Sequence, residues 1–527
     1  MTRPNRFDGT GREHPTSTRW DVRRLTPPSP LWGSNGVAFG PDGRLYVAQF
    51  LAGQISAVDL ASGDVEVVVP VDGPVQAPDD LAFGADGSMY ITDLIPGRVW
   101  RRSPAGEYAL VSDEVQVPNG ITCVGDRLFV NEMKFDGRVL ELFPGGGDPV
   151  VLAEGLAMGN AMQRGPDGYL YYPHMLAGEV FRTHPDGGPA ELVAADVHEP
   201  VAVRFDLDGN LVVLSRGVAG IVTRIDLGSG ERTLVTSGVV GLDNAAFDAE
   251  NRMFVSSFAS GGVAELHPDG RTRPIVPQGL DGPFGVTVDF GGTVLAADHY
   301  RLATPEPDGV ITRELLIFAH GITTDSAGLV HLTSQYGDVR TFDPVAKTTR
   351  VRAERLARPM GIAVRADGGL VVAESGAGRV LLVDADDAVT VLAEGLEQPV
   401  DLALDGEERC YVSDERRGAV FRVDDGKAVL VAEGLGAPQG LAVRGDEVFV
   451  VEVEHRRLTA ISLVTGERRV DAENLAVGLP GGVTREDPAL FCHGMPGAPR
   501  QFAGLAVGPD GSLYLSANGE GSVLRLS

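Results

Sequence analysis

Asn35, Asp79, Asn119, Asn160, Val201 and Asn244 each open a short apolar strand, and the six openings recur about every forty residues. The chain has ten asparagines, and four of them hold this one place. Amide and carboxylate oxygens that converge on one point suit a hard cation, since Ca²⁺ takes about six to eight oxygens in flexible geometry. An Asn can also stand at such a place because it tolerates a turn. The second half of the chain opens its strands with Phe284, His320, Met360, Val400, Gln439 and Ala503 instead. The backbone therefore does not demand Asn. Asn35, Asp79, Asn119, Asn160 and Asn244 are the candidate metal ligands.

A second series stands at the ends of the following strands: Gln49, Asp93, Glu132, His174, Ser215 and Ser257. His174 can act as a general base or hold a metal-bound water, or it can be a hydrogen-bonded wall residue. Glu132 and Asp93 can be ligands, bases or solvated carboxylates. These three are the candidate catalytic groups. The second half carries Asp298, Ser334, Glu374, Asp414, Glu452 and Ala517 in the same series. His299 and His320 lie in neighbouring copies there and, with Asp298, form a rival second site; a structural role is the plainer reading of these three. The chain has no Gly-rich phosphate loop, Ser-nucleophile elbow, HExxH or zinc-finger spacing.

Positioning these residues requires a repeated β unit. In the first copy Gly36–Phe39 is a strand and Pro41-Asp42-Gly43 a turn; Leu45–Ala48, Gln54–Val58 and Val65–Val69 are further strands. Asp-Gly turns between short β-branched runs signal hairpins. Four strands repeated twelve times signal propeller blades, and rings of four to eight blades are usual. The fold class is therefore all-β, two six-bladed β-propellers in tandem. The expected division is a flexible segment over 1–19, the first propeller over 20–269 and the second over 270–527, with an inserted loop at 476–500 lying over one face of the second. The last copy has three strands. Trp20–Thr26 is expected to complete the sixth blade, freeing Arg271–Val276 to complete the twelfth.

A chain of 527 residues exceeds one ordinary core. Its 69 Gly and 34 Pro make it turn-rich, and 43% hydrophobic residues make it folded. A net charge of −28 argues against nucleic acid or an anionic membrane as partner; the expected partner is a small-molecule substrate. Three scattered cysteines, Cys123, Cys410 and Cys492, encode no disulfide framework or CxxC metal site. Met1–Pro30 has no apolar secretory core. A cytoplasmic location is expected; the oligomeric state stays open.

The run Asn35 to Ala48 resembles the SMP-30/gluconolactonase-like propeller superfamily, and also NHL-type and virginiamycin B lyase-like repeats. That resemblance implies one axial divalent cation, Ca²⁺ first and Mg²⁺ or Zn²⁺ as alternatives, and the opening of an ester, lactone or phosphotriester. The Asn-Gly openings match at Asn35 and Asn119, and Asp79, Asn160 and Asn244 complete the set by blade position. The family's metal-binding Glu in the first blade is replaced by Gly33-Ser34-Asn35; Asp79 or Glu132 then stands in for its charge, or the metal site is altered. The expected function is a metal-dependent lactone- or ester-opening enzyme. The alternatives are a metal-assisted lyase or cyclase acting on a secondary metabolite, and a non-catalytic binding propeller.

Overall fold

A computed structural model describes Arg6 and residues 14–316, 318–480, 483 and 497–527. The described residues form twelve antiparallel sheets of four strands each. Their one helical turn is Ser375–Ala377. The first blade comprises Val37–Phe39, Leu45–Gln49, Gln54–Val58 and Val65–Val69. Its Asp-Gly turn is built by two bonds. Gly43, at φ +78°, donates to the Gly40 carbonyl at 3.0 Å, and Asp42 Oδ1 accepts from the Arg44 amide at 3.2 Å.

The blades close into two rings of six. Within the first, Gly36 N donates to Asp79 O at 2.7 Å between blades one and two, and Ser34 N donates to Ser257 O at 3.3 Å between blades one and six. In the second, Gly285 N donates to His320 O at 2.8 Å, and Gly504 N donates to Phe284 O at 3.0 Å to join blades twelve and seven. Inner strands converge on each axis, which explains the glycine after the opening residue. At Gly120 a Cβ would lie 2.3 Å from Asn160 O, and at Gly440 2.2 Å from Ala503 O.

The closing strands differ from the sequence expectation. Val22–Arg24 pairs with Ser522–Leu526 and completes the twelfth blade, not the sixth. Thr272–Val276 pairs with Val263–Leu266 and stays in the sixth. The reason is local. The turn His267–Gly270 joins these two strands as a short hairpin, and a short loop costs little entropy. In the twelfth blade Val22–Arg24 instead covers the edge of Ser522–Leu526 that faces away from the axis. The change of ring therefore lies between Val276 and Val286, not at 269/270, and Trp20–Thr26 belongs to the second ring.

Parts of 1–19 are anchored rather than flexible. Arg6 is buried and donates to the carbonyls of Ser29, Leu280 and Asp281, and Thr16 bridges Glu473. In the inserted segment, Gly478 N donates to Asn518 Oδ1, and Arg500 N donates to Gln335 Oε1, both at 2.9 Å. The insertion was expected over one face of the second ring; residues 481–482 and 484–496 lie outside the described residues. Cys492 and His493 lie outside the described residues.

Most core clusters fill the space between adjacent blades, as with Ile55 and Val69 against Leu81 and Ile91. One cluster crosses between rings. It joins Phe50, Met133, Met175 and Val201 of the first to Phe284, Met360, Val400 and Phe502 of the second. The two mouths that carry the strand openings thus face one another.

Candidate functional site

A cavity of about 160 Å³ lies between the mouths. The first ring lines it with Asn35, Asp79, Asn119, Asn160, Val201 and Asp243. Four of the five expected ligands thus reach one wall. Asn244 does not. It bonds Asp80 Oδ1 through Nδ2 at 3.1 Å, one layer below. The strand register explains this. Leu242 pairs with Ser257 as Pro118 pairs with Glu132, so Asp243 is the equivalent of Asn119. Counting back from the paired apolar residues, Ala245 and Ile121, would have found it.

The described lining sets two carboxyl groups, Asp79 and Asp243, against one cation, Arg216. Asn119 Nδ2 donates to Asp79 Oδ2 at 2.5 Å and faces Met133 Sδ at 3.2 Å. Asn119 Oδ1 is buried with no hydrogen-bond partner. Asn35 Oδ1 accepts from Phe50 N at 3.3 Å, and Asn160 Oδ1 from Ala161 N at 2.7 Å. Burial, then the Asp80 charge, pushes Asp79 up to about 8. Burial, then Asp79 and Asp80, pushes Asp243 well above the carboxylate range. Beneath them Arg204 Nη2 lies 3.7 Å from Asp80 Oδ2, and its other nitrogens donate to the carbonyls of Met162, Val203 and Ala245. Even with this cation, burial holds Asp80 up to about 6.

The second series misses the cavity by one residue. Phe50, Leu94, Met133, Met175, Arg216 and Phe258 line it, each next after a strand end. Side chains alternate along a strand, so the neighbour faces the opposite way. Asp93 points back and accepts from Gln76 N at 3.1 Å, Ala77 N at 2.7 Å and Trp100 Nε1 at 3.1 Å. Glu132 accepts from Gln116 N at 2.9 Å and from Arg138 at 2.6 Å. His174 stacks on Phe181 at 4.3 Å, and burial lowers its pKa. Asp93 and Glu132 hold the chain entering their blades, and Glu374, Asp414 and Glu452 do the same in the second ring. None of these reaches the cavity. Ser34, which precedes Asn35 in the first blade, is also structural: its Oγ donates to the carbonyls of Ser257 at 3.1 Å and Gly262 at 2.7 Å.

The rival site in the second ring divides. His299 lines the same cavity, with Tyr300, Phe318, Tyr336 and Gly497. Its Nδ1 is buried and unpartnered, and burial lowers it to about 3. Asp298 anchors the turn below, accepting from Asp281 N at 3.2 Å and Gly282 N at 3.0 Å. His320 does not line the cavity. It stacks on Phe284 at 4.6 Å, and its Nε2 meets Arg500 O at 2.8 Å.

Among the described residues, no three or more His, Cys, Asp or Glu side chains gather closely enough to hold a metal. The mouth of the first ring offers a different donor set, two carboxyl groups and three amides. These oxygen types suit a hard cation, and the unpartnered Asn119 Oδ1 is an available donor.

No protein-family model and no curated protein matches the sequence. Several solved structures resemble the chain in structure. A streptogramin B lyase is 18% identical, covering 53% of this chain and 95% of its own, with a TM-score of 0.40. A chain of a nidogen/laminin complex is 20% identical, covering 42% and 88%, with a TM-score of 0.38. The extracellular domain of the BT4673 system of B. thetaiotaomicron is 10% identical, covering 97% and 83%, with a TM-score of 0.33. At these identities the likeness concerns fold alone.

Proposed function

We propose that the cavity between the rings is the active site of an enzyme that opens a small lactone or ester with the help of one divalent cation. Asp79, Asp243 and the amide oxygens of Asn35, Asn119 and Asn160 would hold the cation, with Ca²⁺ preferred by donor type. When bound, such an ion polarises a carbonyl and stabilises the charge that develops on it.

The observation that supports this is the pair of buried carboxyl groups, which stays under-compensated despite Arg204 beneath. Buried charge in proteins is generally paired or metal-bound. The chain's own residues supply the rest. Leu94, Met133, Met175 and Phe258 give an apolar wall for the body of the substrate. At about 30 Å³ per water the cavity has room for roughly five waters, which limits substrate size. Asp79 and Asp243 are the carboxyl groups on its wall, and an oxygen of one of them left free by the cation would take the proton of the attacking water in place of Asp93, Glu132 and His174.

A Ca²⁺-supplemented screen of lactones and aryl esters, repeated with EDTA, tests this reading. Turnover that EDTA abolishes is expected. Cation binding with no product from any substrate would make the protein a binding propeller instead. The neutral His299 imidazole on the same wall favours one second reading, a metal-assisted lyase or cyclase. Product mass separates the two, since hydrolysis adds one water and elimination or cyclisation adds none.

A further inference from the structure

We infer that Tyr300, carried by the second ring, is a catalytic residue of the cavity in the first. Its hydroxyl donates a hydrogen bond to the substrate oxygen that gains charge. This inference rests on the ester-opening reading above.

Three features of the turn place it. Asp298 fixes the base of the turn through Asp281 N and Gly282 N, and Arg301 Nε donates to Asp298 Oδ2 at 2.9 Å. Tyr300 N donates to Asp298 O at 2.6 Å, which tightens the turn. His299 between them holds φ +52°, a left-handed conformation costly for a non-glycine residue. A backbone bridge to Ala319 holds it there. Strain of this kind persists where the surroundings over-determine it, and functional sites are where it clusters.

The turn directs Tyr300 across to the first ring. Its ring meets Phe258 edge-on at 5.0 Å and 87°, and His299 at 4.4 Å and 68°. Phe258 follows the second strand of blade six, whose first strand carries Asp243. Burial, then Tyr336, Asp79 and Asp243, raises the Tyr300 phenol well above its ordinary value. An ordinary phenol keeps its proton to about pH 10, so the hydroxyl is a donor at neutral pH. Among the described lining residues Arg216 is the one cationic donor, and few other donors near Tyr300 are uncommitted. Asn119 Nδ2 is committed to Asp79 and Met133, and Asn160 Nδ2 faces Met133 Sδ at 3.4 Å. His299 is a positioning residue that backs the phenol.

Tyr300 keeps its proton throughout. Water oxygen bonds to the carbonyl carbon and the ester C–O bond breaks. One water proton ends on the leaving oxygen and the other stays with the new acid. Removing one such donor typically costs on the order of 10²-fold in kcat.

Tyr300→Phe removes one oxygen and keeps the ring against Phe258. On 4-nitrophenyl acetate and a lactone panel, kcat is expected to fall about 10²-fold, with KM held within about threefold. The Ca²⁺ isotherm of the variant, by calorimetry, is expected to match wild type and shows the cavity intact. Wild-type turnover with an unimpaired Tyr300→Phe kcat overturns this inference alone. A wild type that neither binds Ca²⁺ nor turns over any ester overturns the ester reading and this inference together.

Discussion

The two mouths use the same backbone for opposite ends. In the second ring, His320 lies between Phe284 at 4.6 Å and Phe502 at 5.5 Å, both stacked. Gln439 Oε1 accepts from Ala503 N at 2.9 Å, and Arg500 Nη2 reaches Glu415 at 2.6 Å. That mouth is packed shut. In the first ring the same six places carry three amides, two carboxyl groups and a valine around open space. One layer down the contrast repeats. Asp401 is the counterpart of Asp80, and its oxygens accept from Leu402 N at 2.9 Å and Leu441 N at 3.0 Å. Asp80 accepts from Leu81 N in the same way, but Arg204 and Asn244 also face it. The fold closes a mouth with apolar packing, so the polar mouth is not something closure requires. It costs desolvation, and that cost points to a ligand.

Converting the first mouth to the second is the strongest way to break this contrast. Asp79→Val with Asp243→Ala is expected to weaken Ca²⁺ binding more than about 100-fold, or about 2.7 kcal/mol. The cation-free fold is expected to gain about 1–4 kcal/mol, because apolar groups replace buried carboxyls. Calorimetry and denaturant unfolding read the two effects. Asn119→Ala, which removes the unpartnered oxygen, is expected to cost about tenfold in Ca²⁺ affinity. His320→Ala in the other mouth is expected to leave that affinity unchanged. Glu132→Gln is expected to lower stability by about 1 kcal/mol and leave both Ca²⁺ affinity and kcat intact, since Glu132 holds Gln116 and Arg138.

The smallest expected effect is on pH-dependent stability. Asp79 and Asp401, raised to about 8 and about 7, hold protons that the unfolded chain has lost above about 4. Their stabilisation is full below the unfolded pKa and disappears as pH rises through the folded one. His299 and His320, lowered to about 3 and about 4, act oppositely below about 6.5. Between pH 8.5 and 6.5, roughly, the histidines add little and the raised aspartates, Asp243 and Asp281 among them, set the slope. Tm of the cation-free protein is expected to rise by about 1–3 °C on going down that interval. Asp79→Asn should flatten the rise.

The blades were legible because their turn chemistry is local. Gly40, Asp42 and Gly43 recur in kind at Gly508, Asp510 and Gly511, with the same amide-to-carbonyl bonds. Which end closes which ring was not, because the pairing of Val22 with Leu526 spans the whole chain. The hairpin turn at Asp269-Gly270 was a local sign that blade six already had its fourth strand. Asn35, Asp79, Asn119 and Asn160 were legible from their repeated place. Asp243 was hidden by the more familiar Asn244 beside it. Asp93, Glu132 and His174 were one residue off, and in a strand one residue reverses the face. The contribution of His299 and Tyr300 depends on how two rings pack, which no single repeat encodes.

On the reading proposed above, the first mouth holds a cation in place of protons. Calorimetric titration with CaCl₂ at pH 7, in two buffers of different ionisation enthalpy, tests it directly. One site per chain is expected, releasing about one proton per Ca²⁺, since Asp79, raised to about 8, is largely protonated beforehand. The site should be lost in Asp79→Asn/Asp243→Asn. Absence of binding, binding without proton release, or binding that survives both substitutions would contradict the claim.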